Sequence, residues 1–170
     1  GLGDVYKRQV SFLWKLKIIE FSEGSIIPRV QRNELETLRA LILNRLTTSN
    51  DPYIHYLTSF LDSFLLTKNY YEKREVWRIL ASIRSKENVR SPHEELTFKF
   101  RMLIRHLKEL GLATTFEKFI IPTIDPSLLL EVLRHMQFSR GNIFKLLCDI
   151  RDRYFPCCDT PGTPYNPLDM

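Results

Sequence analysis

The sequence predicts an all-α fold, a single antiparallel bundle of about six to eight helices. Three observations lead there. Apolar residues recur at steps of three and four along most of the 170-residue chain, the spacing that places them on one face of a helix. Three expected helices open on a capping residue followed by proline, at Asp51-Pro52, Ser91-Pro92 and Asp125-Pro126; proline suits the first turn, where its missing N–H has no bond to lose. Finally, no segment shows strand alternation bounded by hairpin turns.

The clearest element is residues 91–111, SPHEELTFKFRMLIRHLKELG. Ser91 and Glu94 form an S-x-x-E capping box. Leu96, Phe100, Leu103, Leu107 and Leu110 share one helical face, and Gly111 follows where a left-handed cap ends many helices. The rest of the chain is expected to be organised around this helix.

The remaining elements follow in order. Residues 1–9, GLGDVYKRQ, read as the translation of a sequencing adapter. They are set aside as one sets aside a fusion scar, and the natural protein is expected to be truncated at this end. Residues 10–21 are expected to form a helix through Phe12, Leu13, Leu16 and Ile19, and residues 22–30 a loop holding Gly24 and Pro28. Asn33 caps a second helix with Leu35, Leu38, Leu41, Ile42 and Leu46 inward. Asp51 opens a third, with Ile54, Leu57, Leu61, Phe64 and Leu65 inward. A fourth, residues 70–85, buries Val76, Ile79, Leu80 and Ile83, with Trp77 beside them.

Beyond Gly111, a short helix is expected from Thr115 through Phe116, Phe119 and Ile120, ended by Pro122. Residues 119–121 are the one run with strand character, and their flanks argue for helix or extended loop. Asp125 opens a helix bearing Leu128, Leu129, Val132, Leu133 and Met136, and Asn142 precedes a last helix bearing Ile143, Phe144, Leu146, Leu147, Ile150 and Tyr154. The helical domain thus spans residues 10–155. Residues 156–170, with Pro156, Pro161, Pro164 and Pro167, form an irregular tail. The spacing of the three cap-proline starts raises a short helical-repeat array as an alternative, but the segments between them share no common register.

Composition limits the function. The formal charge is +5, or +4 without Asp4, Lys7 and Arg8, and the two signs are mixed along the chain. Three cysteines, two of them adjacent at Cys157 and Cys158, make no disulfide framework, so an intracellular, cytoplasmic setting is expected. Lys15 and Lys17 break the longest apolar stretch near the start, so no membrane partner is expected.

Motifs that carry chemistry are absent. His55, His93, His106 and His135 fall on four different expected helices without metal-ligand spacing. Cys148 lies in an apolar pattern and reads as a buried small hydrophobe. No G-x-S-x-G elbow, P-loop or G-x-G-x-x-G turn occurs. Glu94 and Glu95 point about 100° apart on a helix, a poor geometry for a carboxylate dyad. The chain reads as a non-enzyme without a cofactor.

Surface binding leaves a better trace. Arg101, Arg105 and Lys108 stand at i, i+4 and i+7, opposite the leucine face of the 91–111 helix, with Phe98 and Met102 beside them. Arg84, Lys86 and Arg90 extend the positive region upstream. Two readings stand: a central helix packed on both sides, or a face that meets a partner protein or single-stranded RNA, since arginines interleaved with aromatics suit phosphate contact and base stacking.

The segments IRHLKELG (104–111), FEKFIIPTIDPSLLLEVL (116–133) and NIFKLLCDIRDRY (142–154) resemble the C-terminal part of the Gag-like region of LTR retrotransposons of the Bel/Pao type. The resemblance covers roughly residues 80–154 and implies a self-assembling, RNA-packaging particle protein. The expected function is therefore a non-catalytic interaction or self-assembly module, with Gag-like assembly as its most specific form. The alternatives are an RNA-binding helical domain using the basic face, and a fragment of a larger enzyme whose active site lies elsewhere.

Overall fold

The structure is a computed structural model and describes residues 2–86 and 93–157. In chain order it contains α1 (Leu2–Lys15), β1 (Ile19–Ser22), β2 (Ser25–Pro28), a three-ten helix (Arg32–Thr37), α2 (Leu38–Thr48) and α3 (Pro52–Thr67). Next come β3 (Tyr71–Glu72), α4 (Lys73–Lys86), α5 (His93–Glu109), β4 (Ala113–Phe116), β5 (Phe119–Pro122), α6 (Pro126–His135) and α7 (Ile143–Arg153).

The all-α expectation is overturned. Among the described residues, seven α-helices are joined by five short strands in two antiparallel sheets, one ordered β1-β2 and the other β3-β5-β4. The expected helix over 10–21 stops at Lys15, because Lys17 takes a φ of 57°, a conformation that ends helical hydrogen bonding. Residues 22–30 are a hairpin, not a loop: Glu23 and Gly24 turn the chain at φ 48° and 78°, the positive pair of a type I′ hairpin turn. Residues 115–120 likewise form a hairpin, with Glu117 at φ 51°. The expected fourth helix begins at Lys73, since Tyr71 and Glu72 are taken up by β3. Four-residue strands are too short to display alternation, so the sequence pattern does not reveal them.

Among the expected helix starts, two capped by a side chain are seen directly. Ile54 N–H donates to Asp51 Oδ1 at 3.3 Å, and Ser127 N–H donates to Asp125 Oδ1 at 2.8 Å. The S-x-x-E box at Ser91 begins outside the described residues. The last helix also opens where expected, because the Asn142 side chain accepts from Phe144 N–H and Lys145 N–H.

The core gathers Leu43, Ile54, Phe60, Phe64, Tyr71, Leu80, Leu107 and Ile120, all buried. Its aromatic spine stacks Phe60 on Phe64 at 5.6 Å and Phe64 on Tyr71 at 5.3 Å. The central helix is α2, which touches the three-ten helix, α3, α6 and α7, whereas α5 packs on α4 and β4. The start of α2 is capped from another helix: Glu131 of α6 accepts Arg39 N–H at 2.7 Å and Ala40 N–H at 3.2 Å through Oε1, and Arg39 Nε–H at 2.8 Å through Oε2. Leu35, expected inside, is exposed, because residues 32–37 wind as a three-ten helix and shift its phase.

Two parts of the chain repeat one another. The run α1–β1–β2–three-ten helix recurs as α5–β4–β5–α6 with residue numbers displaced by 94, so that Ile26 corresponds to Ile120. Both helices finish with the same bonds: Leu16 N–H to Phe12 O and Leu110 N–H to His106 O, Lys17 N–H to Trp14 O and Gly111 N–H to Lys108 O, Ile18 N–H to Leu13 O and Leu112 N–H to Leu107 O. Lys17 and Gly111 both lie at positive φ, as do Glu23 and Glu117. The registers agree, with Ile19 opposite Pro28 and Ala113 opposite Pro122. Leu13, Leu16, Glu23 and Ile26-Ile27-Pro28 are matched by Leu107, Leu110, Glu117 and Ile120-Ile121-Pro122.

The copies also meet through counterparts. The Phe12 ring stacks on His106 with centroids 6.4 Å apart and planes 9° from parallel. Helix α6 packs on the three-ten helix and on α2. Contact between equivalent residues is what two copies related by a two-fold axis produce. Their edges differ: β5 carries β3 on its outer edge, with Tyr71 opposite Ile120 and Glu72 opposite Phe119, while β2 pairs only with β1 among the described residues.

Candidate interaction surface

The far face of α5 is where the sequence pattern points to a binding site. Arg101, Arg105 and Lys108 are exposed there and Met102 is half-buried. Phe98, Arg84 and Lys86 belong to α5 and α4, but their side chains lie outside what is described; Arg90 lies outside the described residues altogether. The face is less positive than the three cations suggest. Arg105 Nε–H donates to Glu109 Oε1 at 2.8 Å, and the other Glu109 oxygen is 3.3 Å from His106 Nδ1. The Arg105 hydrogen bond holds the Glu109 carboxyl below its ordinary range; burial opposes it, and the His106 hydrogen bond adds a smaller lowering. A fixed carboxylate therefore stands inside the stripe, and the flank at His106 is covered by Phe12.

Apolar exposure is more extensive elsewhere. On α6 and α7, Leu130 is 57 % and Ile143 68 % exposed, and Leu129, Phe144 and Leu147 are also exposed, as is Phe138 between the helices. The helical spacing of Leu129, Ile143, Phe144 and Leu147 predicts core positions; only Leu128, Val132 and Ile150 on these helices are fully buried, because each helix rests a narrow face on α2 and leaves the rest outside. The first hairpin unit exposes Trp14, Phe21, Ile26 and Ile27. Isolated apolar side chains at a surface are ordinary, but groups of large ones mark contact sites.

An open concavity of about 650 Å³ lies beside β3, lined by Lys68, Tyr70, Glu72, Arg74, Arg78 and Phe119 among others. Of its charged side chains, Lys68 Nζ meets Glu75 at 2.6 Å, and Glu72 meets Lys118 Nζ from outside the lining at 3.1 Å. Among the described residues no group of histidine, cysteine and acidic side chains is gathered for a metal ion. Interior polar chemistry centres on His135, whose Nδ1 lies 2.7 Å from the Tyr154 hydroxyl. Burial lowers the His135 pKa and raises that of Tyr154, as expected for a pair kept neutral between α6 and the end of α7. Cys148 is half-buried instead of sealed in the core, and Cys157 donates its Sγ–H to Leu147 O at 3.2 Å.

Sequence reasoning misses the hairpin surface. Its signal is the repeated tripeptide Ile-Ile-Pro at 26–28 and 120–122, which a search for repeated cap-proline starts does not test. Among the described residues no helix is long and apolar enough to cross a membrane. Comparison with family models, curated proteins and solved structures finds no match to this chain.

Proposed function

We propose that this chain is a non-catalytic protein–protein interaction or self-assembly module, working through mixed helix-and-hairpin surfaces. The observation that carries the reading is the exposure of Leu130 on α6 and of Ile143, Phe144 and Leu147 on α7, two helices that both pack on α2. Large apolar side chains left in water lose hydrophobic stabilisation that a partner would restore. A second copy of this chain is the partner we assign to that face. The two halves of the chain already associate through equivalent residues, Phe12 on His106, and such self-complementary contact is the usual basis of symmetric assembly. Gag-like assembly is the most specific form of the proposal and rests on the resemblance over roughly residues 80–154.

Sedimentation velocity over a concentration series tests it. Wild-type protein is expected to associate as concentration rises, and Leu130→Glu combined with Ile143→Glu to stay monomeric with an unchanged circular-dichroism spectrum. A wild-type chain that remains monomeric throughout defeats the reading.

The exposure of Arg101, Arg105 and Lys108 favours one second reading, contact with single-stranded RNA. Replacing all three by alanine would then weaken RNA binding and flatten its dependence on salt, because phosphate contacts release counterions. Binding that ignores salt, or none, removes this alternative.

A further inference from the structure

The geometry points to the outer edge of β2 as a strand-addition site for a partner polypeptide whose extended segment leads into a helix. The two hairpins supply the argument. Arg29 N–H donates to Ile18 O at 2.8 Å; since antiparallel bonding alternates, Ile27 and Ser25 also face β1, and the N–H and C=O of Ile26 face outward. In the second hairpin Thr123 N–H donates to Leu112 O at 3.1 Å, which by the same alternation turns Ile120 outward. There the edge is occupied: β3 lies along it with Tyr71 opposite Ile120, and α4 follows directly. Ile120 is 0 % exposed, while Ile26, in the same place, is 50 % exposed.

The local chemistry describes the partner. Pro28 and Pro122 stand at the same place on both edges; lacking an N–H, each limits pairing to a short strand. The segment added to β2 is therefore about as short as β3 and draws its main-chain bonds chiefly from Ile26. Opposite Ile26 it presents a large apolar side chain, as Tyr71 does opposite Ile120. The next residue need not be acidic, because Lys118, the partner of Glu72 at 3.1 Å, is replaced by Gly24. It has room to be bulky, because Ser25 stands where Phe119 does. An independent difference agrees: the uncovered copy carries Phe21 and Trp14, both exposed, where the covered copy carries Thr115 and Lys108. Phe21 is the cross-strand neighbour of Ile26, so an apolar strand residue placed on Ile26 covers both. Main-chain pairing gives such an addition its affinity and the alternate side chains its selectivity.

The test uses the full chain and, as probe, a dye-labelled synthetic peptide copying residues 69–82, the chain's own β3 with the start of α4. Fluorescence anisotropy is expected to report saturable binding, and amide exchange to report slowing at Ile26 of at least about tenfold with no change at Ile120. The double Leu130→Glu, Ile143→Glu protein is expected to bind the peptide equally well, since the β2 edge shares no residue with the α6–α7 face. Ile26→Pro, which removes the outward N–H, should weaken binding at least about tenfold; the exchange readout on wild-type protein stands even if that variant unfolds. Absence of binding, or binding that leaves the Ile26 amide unchanged, overturns the proposal without touching the sedimentation result.

Discussion

Ile26 and Ile120 hold the same position in two copies of one hairpin, yet the first is half exposed and the second wholly buried. The difference comes from what lies beside them: β3 covers Ile120, and β2 has no second neighbour among the described residues. The same truncation should therefore cost very different amounts. Ile120→Ala is expected to lose about 2–4 kcal/mol, the range for a sealed aliphatic site, and Ile26→Ala less than about 1 kcal/mol. Urea denaturation of the two variants measures the contrast, and equal losses would remove it.

The helix ends differ in a second way that mutation can read. Lys17 carries a steric penalty at φ 57° that Gly111, at φ 79°, avoids. Lys17→Gly should stabilise the fold by about 0.5–1 kcal/mol. Gly111→Ala should destabilise it by about 2 kcal/mol or more, because the left-handed strain adds to a collision: the new Cβ would stand 2.8 Å from Asp125 Cβ. Thermal melts of both variants check the opposite signs.

Glu131 joins the two halves by capping α2 from α6. Its side chain is only 12 % exposed, so Glu131→Ala strips acceptors from Arg39 and Ala40 in a place water enters poorly. A loss of about 2–3 kcal/mol is expected. Glu131→Gln keeps an oxygen for the two main-chain donors and should lose less. Denaturation midpoints that rank the two variants the other way would show that charge outweighs capping here.

His135 makes stability depend on pH. Burial lowers its pKa below the ordinary 6.5, with Glu34 and Glu131 opposing and Arg153 and Arg45 reinforcing. Between the unfolded value and the lower folded one, the unfolded chain binds more protons, so stability falls as pH drops below about 6.5. His135→Gln should flatten that part of the profile. Chemical denaturation at several pH values from about 7 to about 5, compared between wild type and variant, isolates the effect from the other histidines.

Most helices are legible in the sequence because each carries several turns of apolar periodicity, and Asp51, Asp125 and Asn142 mark starts that the structure retains. The strands are not. Two-residue and four-residue strands hold too few positions for alternation to show, and turns opened by Glu23 and Glu117 lack the Asn-Gly or Asp-Gly chemistry that announces a hairpin. Periodicity also overcounts the core: Leu129, Ile143, Phe144 and Leu147 have helical spacing but face outward, since spacing gives a face and not what covers it. Of the candidate site, helical spacing places Arg101, Arg105 and Lys108 opposite the leucines, and all three are exposed, while the ion pair of Glu109 with Arg105 depends on rotamers that spacing does not give. The duplicated hairpin lies open in the repeated Ile-Ile-Pro, but only the second, covered copy gives the first its meaning.

The central claim, that the two hairpins are equivalent but unequally covered, is tested most directly by amide exchange of the free full chain. The Ile26 amide is predicted to exchange at least about tenfold faster than the Ile120 amide, which β3 protects. Equal protection at the two positions would contradict it.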